Sequence, residues 1–376
     1  MVSNIQMVDL QRQYQRIKEE INSAIATVVQ SANYINGADV KLFANNLANY
    51  LNVKHVIPVA NGTDALQIAL MSLGIGPKDE VITPDFTFIA TVEAVALLGA
   101  TPVLVDVNKD DFNIDTNKIE ALITKNTKAI LPVHLFGQCA NMDSIMEVAK
   151  KYNLFVIEDT AQATGSEYKG KKYSGKAGTI GNFGCTSFFP SKNLGCFGDG
   201  GAIFTNDSDL AAKAQMIANH GSNVKYYHEL IGVNSRLDTI QAAVLNIKLK
   251  YLDEYNFLRQ KSAEVYDNLF QNQEHIKIPH RNIFTTHIFH QYTILVPEGE
   301  NVKLQAALKE KGIPSMIYYP VPIHQQKAFN QNNYDTYQFP VSNMLSKCVI
   351  SLPMHTELTM EQQHFIANYV IKYFSK

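Results

Sequence analysis

Two residues of this chain have the types and surroundings that carbonyl–amine chemistry requires. Lys192 lies in the glycine-rich run 186–201, and Asp159 ends the apolar run Phe155–Asp159. A lysine amine can form a Schiff base with an aldehyde, and burial lowers the pKa of such an amine so that it can also shuttle protons. An aspartate can keep a pyridine nitrogen protonated, which lets the ring accept electrons from a carbanion. Singly, the two residues fit a solvated loop and a turn; together they suit pyridoxal 5′-phosphate.

A second run has the features of a phosphate-binding turn. Gly62 and Thr63 follow a predicted strand and open a predicted helix. The N–H groups at a helix start, together with the Thr63 hydroxyl, can bind a phosphate, and Ser187 ends another predicted strand near the lysine. The alternative is an ordinary N-capped helix after a tight turn, and a carboxylate at Asp64 agrees with that alternative.

The composition does not favour several functional classes. The chain has 376 residues, a net charge of −2 and 46% apolar residues, with no basic run that would attract nucleic acid or a membrane surface. No apolar stretch has the roughly 20 residues needed to cross a bilayer, and the N-terminal 15 residues lack the apolar core of a secretory signal. The four cysteines are scattered, which predicts reduced thiols in a cytoplasmic protein. No spacing of ligand residues predicts a metal site.

Around these residues the sequence alternates between short β-rich runs and amphipathic stretches. This alternation predicts a mostly parallel sheet covered by helices on both faces. Ligands of such sheets bind beyond the carboxyl ends of the strands, where Asn61, Asp159 and Ser187 fall. Because alternate strand residues face opposite ways, Glu158 and Asp159 cannot both point at one ligand. The predicted strands are Val56–Val59, Val81–Thr83, Val103–Val107, Ala129–Val133, Phe155–Asp159, Thr186–Phe189 and Ala202–Thr205.

The rest of the chain predicts helices at the N-terminus and a smaller α+β unit at the C-terminus. A long helical pattern covers 237–270, followed by a strand-like run at Gln291–Val296 and a last helix with a Thr359/Gln362 capping box. We therefore expect a large cofactor-binding domain at residues 1–249 and a small domain at residues 250–376.

Several separated motifs, in order, resemble the DegT/StrS-type sugar aminotransferases, a branch of the aspartate aminotransferase superfamily. The resemblance implies the type I fold of pyridoxal-phosphate enzymes, with a seven-stranded sheet, and a homodimer with shared active sites. The motifs are Asn61–Leu66, Pro84–Thr91, Pro132–Gln138, the Asp159 and Lys192 blocks, Gly232–Arg236 and Leu352–His355.

The resemblance also implies a role for each matching residue. Lys192 is expected to carry the cofactor, Asp159 to pair with its ring nitrogen, and Gln162 to lie near its ring hydroxyl. Phe88 is expected to stack on the ring, although a core aromatic is the alternative. The phosphate is expected to be held by Gly62, Thr63 and Ser187, and by Asn234 from the neighbouring subunit. The substrate-binding candidates are Arg236, for which an interface ion pair is the alternative, Tyr318 and His324.

The substrate expected from the resemblance is a nucleotide-linked keto sugar, with L-glutamate as amino donor. Many family members have Gly-Glu-Gly-Gly after the lysine, whereas this chain has Gly198-Asp199-Gly200-Gly201, a form that resembles the branch acting on 3-keto sugars. UDP-2-acetamido-2-deoxy-3-oxo-glucuronate, a precursor for bacterial surface polysaccharide such as O-antigen, is the expected substrate, and the Arg236 guanidinium suits its carboxylate. Where relatives often have a histidine, this chain has Tyr318.

Other activities stay open. The alternatives within the family are a dTDP-3-keto-6-deoxyhexose 3-aminotransferase and a 4-keto sugar aminotransferase. A dehydratase of this fold typically has histidine in place of the lysine, and a non-catalytic regulator is expected to lose Lys192, Asp159 or the phosphate-binding turn. The chain keeps all three. A Rossmann dehydrogenase is not supported, because no Gly-x-Gly-x-x-Gly follows a strand.

Overall fold

The computed structural model describes residues 4–332 and 334–375 and is organised around a seven-stranded sheet. The strand order is β1-β9-β8-β5-β4-β2-β3; β9 is antiparallel to both of its neighbours, and the other adjacent pairs are parallel. The strands are β1 His55–Val59, β2 Glu80–Pro84, β3 Thr101–Val105, β4 Thr127–Ile130, β5 Phe155–Asp159, β6 Glu167–Lys169, β7 Ser174–Lys176, β8 Phe183–Ser187, β9 Gly201–Thr205, β10 Tyr292–Leu295 and β11 Val349–Leu352.

The predicted mostly parallel sheet is confirmed, with small shifts in its strand ends. The largest shifts are at Ala129–Val133, where the strand runs from Thr127 to Ile130, and at Thr186–Phe189, where it runs from Phe183 to Ser187. Gly184 lowers the β-propensity of the first half of this strand, although its lack of a side chain is needed: a Cβ there would lie 2.2 Å from the Gly178 carbonyl oxygen. Val59, Ser187 and Gly201 lie side by side at the carboxyl edge of the sheet.

Helices surround the sheet, and several of them begin at a side chain that caps the first turn. Asn61 caps α4 through a bond from the Asp64 N–H, and the predicted Thr359/Gln362 capping box begins α13. The helices are α1 Leu10–Arg16, α2 Lys18–Ser31, α3 Ala38–Leu51, α4 Gly62–Ser72, α5 Ile89–Leu97, α6 Thr116–Ile119, α7 Met142–Tyr152, α8 Ser208–Ala218, α9 Thr239–Leu249, α10 Leu252–Phe270, α11 Glu300–Glu310, α12 Pro340–Cys348 and α13 Met360–Phe374. Short 3₁₀ turns lie at Glu120–Leu122, Leu135–Gly137, Ile323–Gln325, Lys327–Asn332 and Thr336–Gln338.

The two faces of the sheet enter two different apolar cores. Along β5, Ile157 packs with residues of α4 and α8, whereas Val156 packs with Met142 and Ile145 of α7. The alternation follows from the two-residue period of a strand. Within the described residues no helix is both long and apolar enough to span a membrane.

The C-terminal part of the chain forms a further core around the antiparallel pair β10–β11. Tyr266 and Phe270 of α10 pack there with Ile366 and Val370 of α13. The single long helix suggested by residues 237–270 is two helices, α9 and α10, with a break at Lys250 and Tyr251. The domain boundary between residues 249 and 250 stays a prediction, and it falls at this break.

Candidate active site

The carboxyl edge of the sheet opens into a cavity of about 680 Å³. The turn before α4, the loop before α5, the end of β5 and the loop after β8 all contribute to its lining. The predicted site residues in this lining are Gly62, Thr63, Phe88, Asp159, Gln162, Ser187, Lys192 and Tyr318. Segments that are distant in the chain thus surround one cavity, which is large enough for a cofactor and a substrate.

Lys192 lies in the loop that joins β8 to β9 and lines the cavity. Its N–H donates to the Phe189 carbonyl at 2.8 Å, which closes a tight turn. Burial lowers the pKa of the amine from 10.5 to about 8, and the negative charge of Asp159 opposes that fall. The neutral amine needed for nucleophilic attack and proton transfer is therefore well populated at mildly alkaline pH.

The residue after the lysine anchors this loop. The Asn193 amide donates to the Asn256 side chain at 2.7 Å and to the Ile288 carbonyl at 3.3 Å, which leaves its oxygen to accept from the His290 Nδ1 at 3.2 Å. His290 itself lines the cavity. Burial, with the positive charges of Lys192 and Arg259, holds the pKa of His290 well below its usual range. The cavity therefore contains a neutral imidazole beside the lysine loop.

Asp159 ends β5 with only 6% of its surface exposed, and its carboxylate faces the cavity. Thr91 Oγ1 donates to Oδ2 at 2.8 Å, and the Ala161 N–H donates to Oδ1 at 3.1 Å. Burial raises the pKa of Asp159, while these two donors and the charge of Lys192 oppose the rise. A cationic N–H group placed opposite this carboxylate would stabilise its charged form.

Glu158, the preceding residue, points to the other face of the sheet, as expected. Its carboxylate accepts backbone N–H groups of Gly178, Ile180 and Gly181 at 2.9, 2.8 and 2.6 Å. His134 Nε2 lies 2.8 Å from the same carboxylate, and neither side chain is exposed. Glu158 therefore holds a loop under the sheet and does not enter the cavity.

The start of α4 and the end of β8 converge on one corner of the cavity. A Cβ at Gly62 would lie 2.7 Å from the Ser187 Cβ, and one at Gly201 would lie 2.4 Å from the Asn61 carbonyl carbon. The N–H groups of the first helical turn have no acceptor within the helix. This corner is therefore both the capped helix start that the alternative described and a cradle of donors suited to a phosphate.

Phe88 and Tyr319 form an aromatic part of the cavity wall. Phe88 is 56% exposed and precedes α5, so it is not a core aromatic. The Tyr319 ring lies 6.4 Å from the Phe88 ring, and its hydroxyl accepts from the Gln162 amide at 3.0 Å. The Gln162 oxygen accepts the Phe136 N–H at 2.8 Å. Gln162 thus joins the end of β5 to this wall.

Three predicted site residues lie outside the cavity. Asn234 is exposed and Arg236 is half-buried on the chain that follows the exposed segment 224–231, and Arg236 makes no ion pair among the described residues. His324 is a correction, because its imidazole is fully buried and held by Asp85 at 2.8 Å. A direct contact with substrate does not fit that position.

Other residues of the site were not predicted from the sequence. Thr91, Tyr319 and His290 contact or line the cavity. Thr91 ends the 84–91 motif, and its place in that motif was a usable signal. His290 carries no such signal, because it lies almost 100 positions from Lys192 in the chain.

Residues 15–371 match the DegT/DnrJ/EryC1/StrS aminotransferase family. The chain belongs to this family. The UDP-2-acetamido-2-deoxy-3-oxo-D-glucuronate aminotransferase of Pseudomonas aeruginosa is 47% identical over 94% of this chain and 96% of its own. A pleiotropic regulatory protein of Geobacillus stearothermophilus is 44% identical over 99% of both chains. The dTDP-3-amino-3,6-dideoxy-alpha-D-galactopyranose transaminase of Aneurinibacillus thermoaerophilus is 42% identical over 98% of this chain and 99% of its own.

The fold is also that of solved aminotransferases. The crystal structure of DesV from S. venezuelae matches with a TM-score of 0.95 and 38% identity, over 99% of each chain. The predicted type I fold of pyridoxal-phosphate enzymes is confirmed. The protein is a sugar aminotransferase of the DegT family, and its cofactor is pyridoxal 5′-phosphate.

The residues of the cavity fit this cofactor. The lysine amine with a lowered pKa, the buried carboxylate with a raised pKa, and the glycine cradle at Gly62 lie around one volume. They match, in type, an aldehyde, a ring nitrogen and a phosphate. Among the described residues no group of His, Cys, Asp or Glu side chains is arranged to hold a metal ion.

Proposed function

We propose that this aminotransferase moves the amino group of L-glutamate to C3 of UDP-2-acetamido-2-deoxy-3-oxo-glucuronate. The observation that carries the proposal is the cavity that combines Lys192 with Asp159 in a chain 47% identical to the Pseudomonas aeruginosa enzyme of that name. Asp199 also lines the cavity, and the Gly-Asp-Gly-Gly form of this run resembles the branch acting on 3-keto sugars.

We propose the following roles for the site residues. Bound pyridoxal phosphate supplies an electron sink and carries the amino group between the two substrates. Lys192 holds the cofactor through its amine and, once released, moves a proton between the reacting carbon atoms. Asp159 keeps the ring nitrogen protonated, and Phe88 stacks on the ring. Gly62 and Thr63, with Ser187, bind the phosphate.

The charges of the cavity support a homodimer with shared active sites. Among the described residues that line it, Lys192 is the one lysine or arginine, whereas Asp64, Asp159 and Asp199 are carboxylates. A nucleotide-linked sugar acid and a cofactor phosphate bring several further negative charges. One chain offers too few cations to balance them, so we propose that a second subunit completes the site.

An exposed apolar segment of the chain offers a surface suited to contact with such a subunit. In segment 224–231, Val224, Tyr226, Tyr227 and Ile231 are 60%, 80%, 71% and 88% exposed, an apolar surface that suits an interface. Asn234 and Arg236 follow directly. We propose that Asn234 reaches the cofactor phosphate bound in the cavity of the partner subunit. Arg236 binds the carboxylate or diphosphate of the sugar in the same cavity. The subunit that forms this cavity contacts the sugar through its own Tyr318.

A dTDP-linked 3-keto-6-deoxyhexose is the second candidate substrate, because the 42% identical Aneurinibacillus thermoaerophilus relative is named for a dTDP-3-amino sugar. That sugar has no carboxylate and therefore gives Arg236 no carboxylate partner. Amination of a 4-keto sugar at C4 is the third candidate reaction. A role in the cytoplasmic synthesis of surface polysaccharide follows only if the UDP-linked 3-keto uronate is the substrate.

The decisive experiment supplies glutamate and a panel of UDP- and dTDP-linked 3-keto and 4-keto sugars, with mass spectrometry of the sugar products and assay of 2-oxoglutarate. We expect the highest kcat/KM with the UDP-linked 3-keto uronate, and an Arg236→Gln variant should lose this preference over the dTDP-linked sugar. Preferred turnover of the dTDP-linked sugar would replace the first candidate by the second. The absence of 2-oxoglutarate with every sugar would contradict both.

A further inference from the structure

Asp85 and His324 form a buried pair that joins two distant segments of the chain beside the cavity. Asp85 Oδ1 accepts the His324 backbone N–H at 2.8 Å, and Oδ2 accepts from the His324 Nδ1 at 2.8 Å. The Ile323 N–H donates to the Asp85 carbonyl at 3.1 Å. Neither side chain of the pair is exposed, and the imidazole stacks on the Phe339 ring with centroids 4.6 Å apart. The carboxylate thus receives two charge-assisted bonds in a dry environment, where such bonds are strong.

Each partner is linked to a different segment of the cavity lining. Asp85 directly follows β2, and Phe88, three residues later, lines the cavity. His324 ends the segment whose Tyr318 and Tyr319 also line the cavity. The Tyr319 ring also lies 6.4 Å from the Phe88 ring. The pair therefore sets the position of the Tyr318 segment, proposed to contact the sugar, relative to the Phe88 loop, proposed to contact the cofactor ring.

We propose that Asp85 and His324 are positioning residues that hold the sugar side of the cavity at a fixed distance from the cofactor side. This inference rests on the proposed function, since it concerns the same site. Without the bond between the carboxylate and the imidazole, the segment that bears Tyr318 is released from the Phe88 loop. The sugar then loses a preformed contact and has to order it on binding, which weakens sugar binding more than it slows the chemistry at Lys192.

The fold contains a matched control for this proposal. Asp106 directly follows β3 as Asp85 follows β2, and it also holds the C-terminal part of the chain. Its Oδ1 accepts the Ser342 N–H at 2.9 Å and the Ser342 hydroxyl at 2.8 Å. Neither residue is among those that line the cavity. A Ser342→Ala variant therefore removes a comparable buried bond without touching a cavity wall.

The test compares three variants in the cofactor-loaded enzyme. His324→Phe keeps a ring to stack on Phe339 but has no donor for Asp85, whereas His324→Asn keeps a donor near the Nδ1 position and loses the ring. We expect His324→Phe to raise KM for the keto sugar by about tenfold, the size set by loss of a hydrogen bond to a charged group. We expect kcat to change by less than about threefold, His324→Asn to restore most of the affinity, and Ser342→Ala to lower stability with KM unchanged.

Two further readouts make the test independent of any one variant. Asp85→Asn keeps the side-chain volume and serves as a second variant if His324→Phe does not fold. It should raise KM for the keto sugar about threefold, because neutral hydrogen bonds are weaker than those to a carboxylate. The visible circular dichroism of the bound cofactor should shift in His324→Phe and not in Ser342→Ala. Equal KM in all variants, or equal KM increases in His324→Phe and Ser342→Ala, would overturn the proposal. A wild-type enzyme inactive with every sugar tested would contradict the proposed function instead, while the dichroism would still report on the pair.

Discussion

Replacing Lys192 by methionine should stabilise the cofactor-free protein at neutral pH. The pKa of the lysine falls from 10.5 to about 8 because its charged form is buried. At about 1.4 kcal/mol for each pH unit, that fall corresponds to roughly 3 kcal/mol of destabilisation by the ammonium group. Methionine has a similar length and carries no charge. Asp159 loses a favourable neighbour in the variant, so the expected gain at pH 7 is up to about 3 kcal/mol.

The pH dependence gives this prediction a definite sign. Below pH 8 the lysine is charged in both the folded and the unfolded chain, so the full cost of burying the charge is present. Between about pH 8 and 10.5 the folded chain releases its proton first, and the unfolded chain then binds more protons. The stability of the wild type should therefore rise toward that of the methionine variant as the pH increases through this range.

Urea unfolding of both cofactor-free proteins from pH 6 to pH 10.5 measures this difference directly. Groups common to the two proteins largely cancel in the comparison. Lys171→Met, at an exposed position, serves as the control and should change stability by less than about 0.5 kcal/mol. A Lys192→Met variant that is less stable than the wild type at pH 7, or a difference that does not depend on pH, would refute the reasoning.

Three further predictions concern two groups of the cofactor site and the carboxylate of Glu158 on the opposite face of the sheet. Thr91→Val removes the hydroxyl that donates to Asp159 at 2.8 Å. It should lower kcat/KM in steady-state kinetics by about tenfold, because hydrogen bonds to charged groups contribute about 1.5–3 kcal/mol. Unchanged activity would count against a role for this bond. Gly62→Ala places a Cβ 2.7 Å from the Ser187 Cβ. The resulting overpacking should weaken cofactor binding, measured by equilibrium dialysis, about tenfold. Unaltered affinity would mean that this corner does not hold the phosphate. Glu158→Gln should cost about 3 kcal/mol of unfolding free energy, because the carboxylate accepts three backbone N–H groups out of water; a cost below about 0.5 kcal/mol in urea unfolding is the contrary result.

The sheet and much of the site could be predicted because their signals are local. Short apolar runs rich in β-forming residues identify strands, and the residues that end them lie at one edge when the strands are parallel. Asp159 and Ser187 were placed in this way, and Glu158 was correctly directed to the opposite face. Gly195 and Gly201 lie against backbone atoms that leave no room for a side chain, and Gly62 lies against the Ser187 side chain.

The parts of the site that could not be predicted depend on contacts between distant segments. Asn193, beside the lysine, is held by Asn256 and His290, which are 63 and 97 positions away. His324 was expected to bind substrate, but the carboxylate of Asp85, 239 positions away, holds it in the interior. No period or local motif reports such pairings, since they arise only when the C-terminal part packs over the sheet.

The most direct test of the account is to trap the bond between lysine and cofactor. Borohydride reduction of the loaded enzyme, followed by peptide mapping, should place the pyridoxyl group on Lys192. Lys248 is the internal comparison, because burial also lowers its pKa to about 8 although it does not line the cavity. Label on Lys192 alone is the predicted result; label on Lys248, or on no lysine of the chain, would contradict the account.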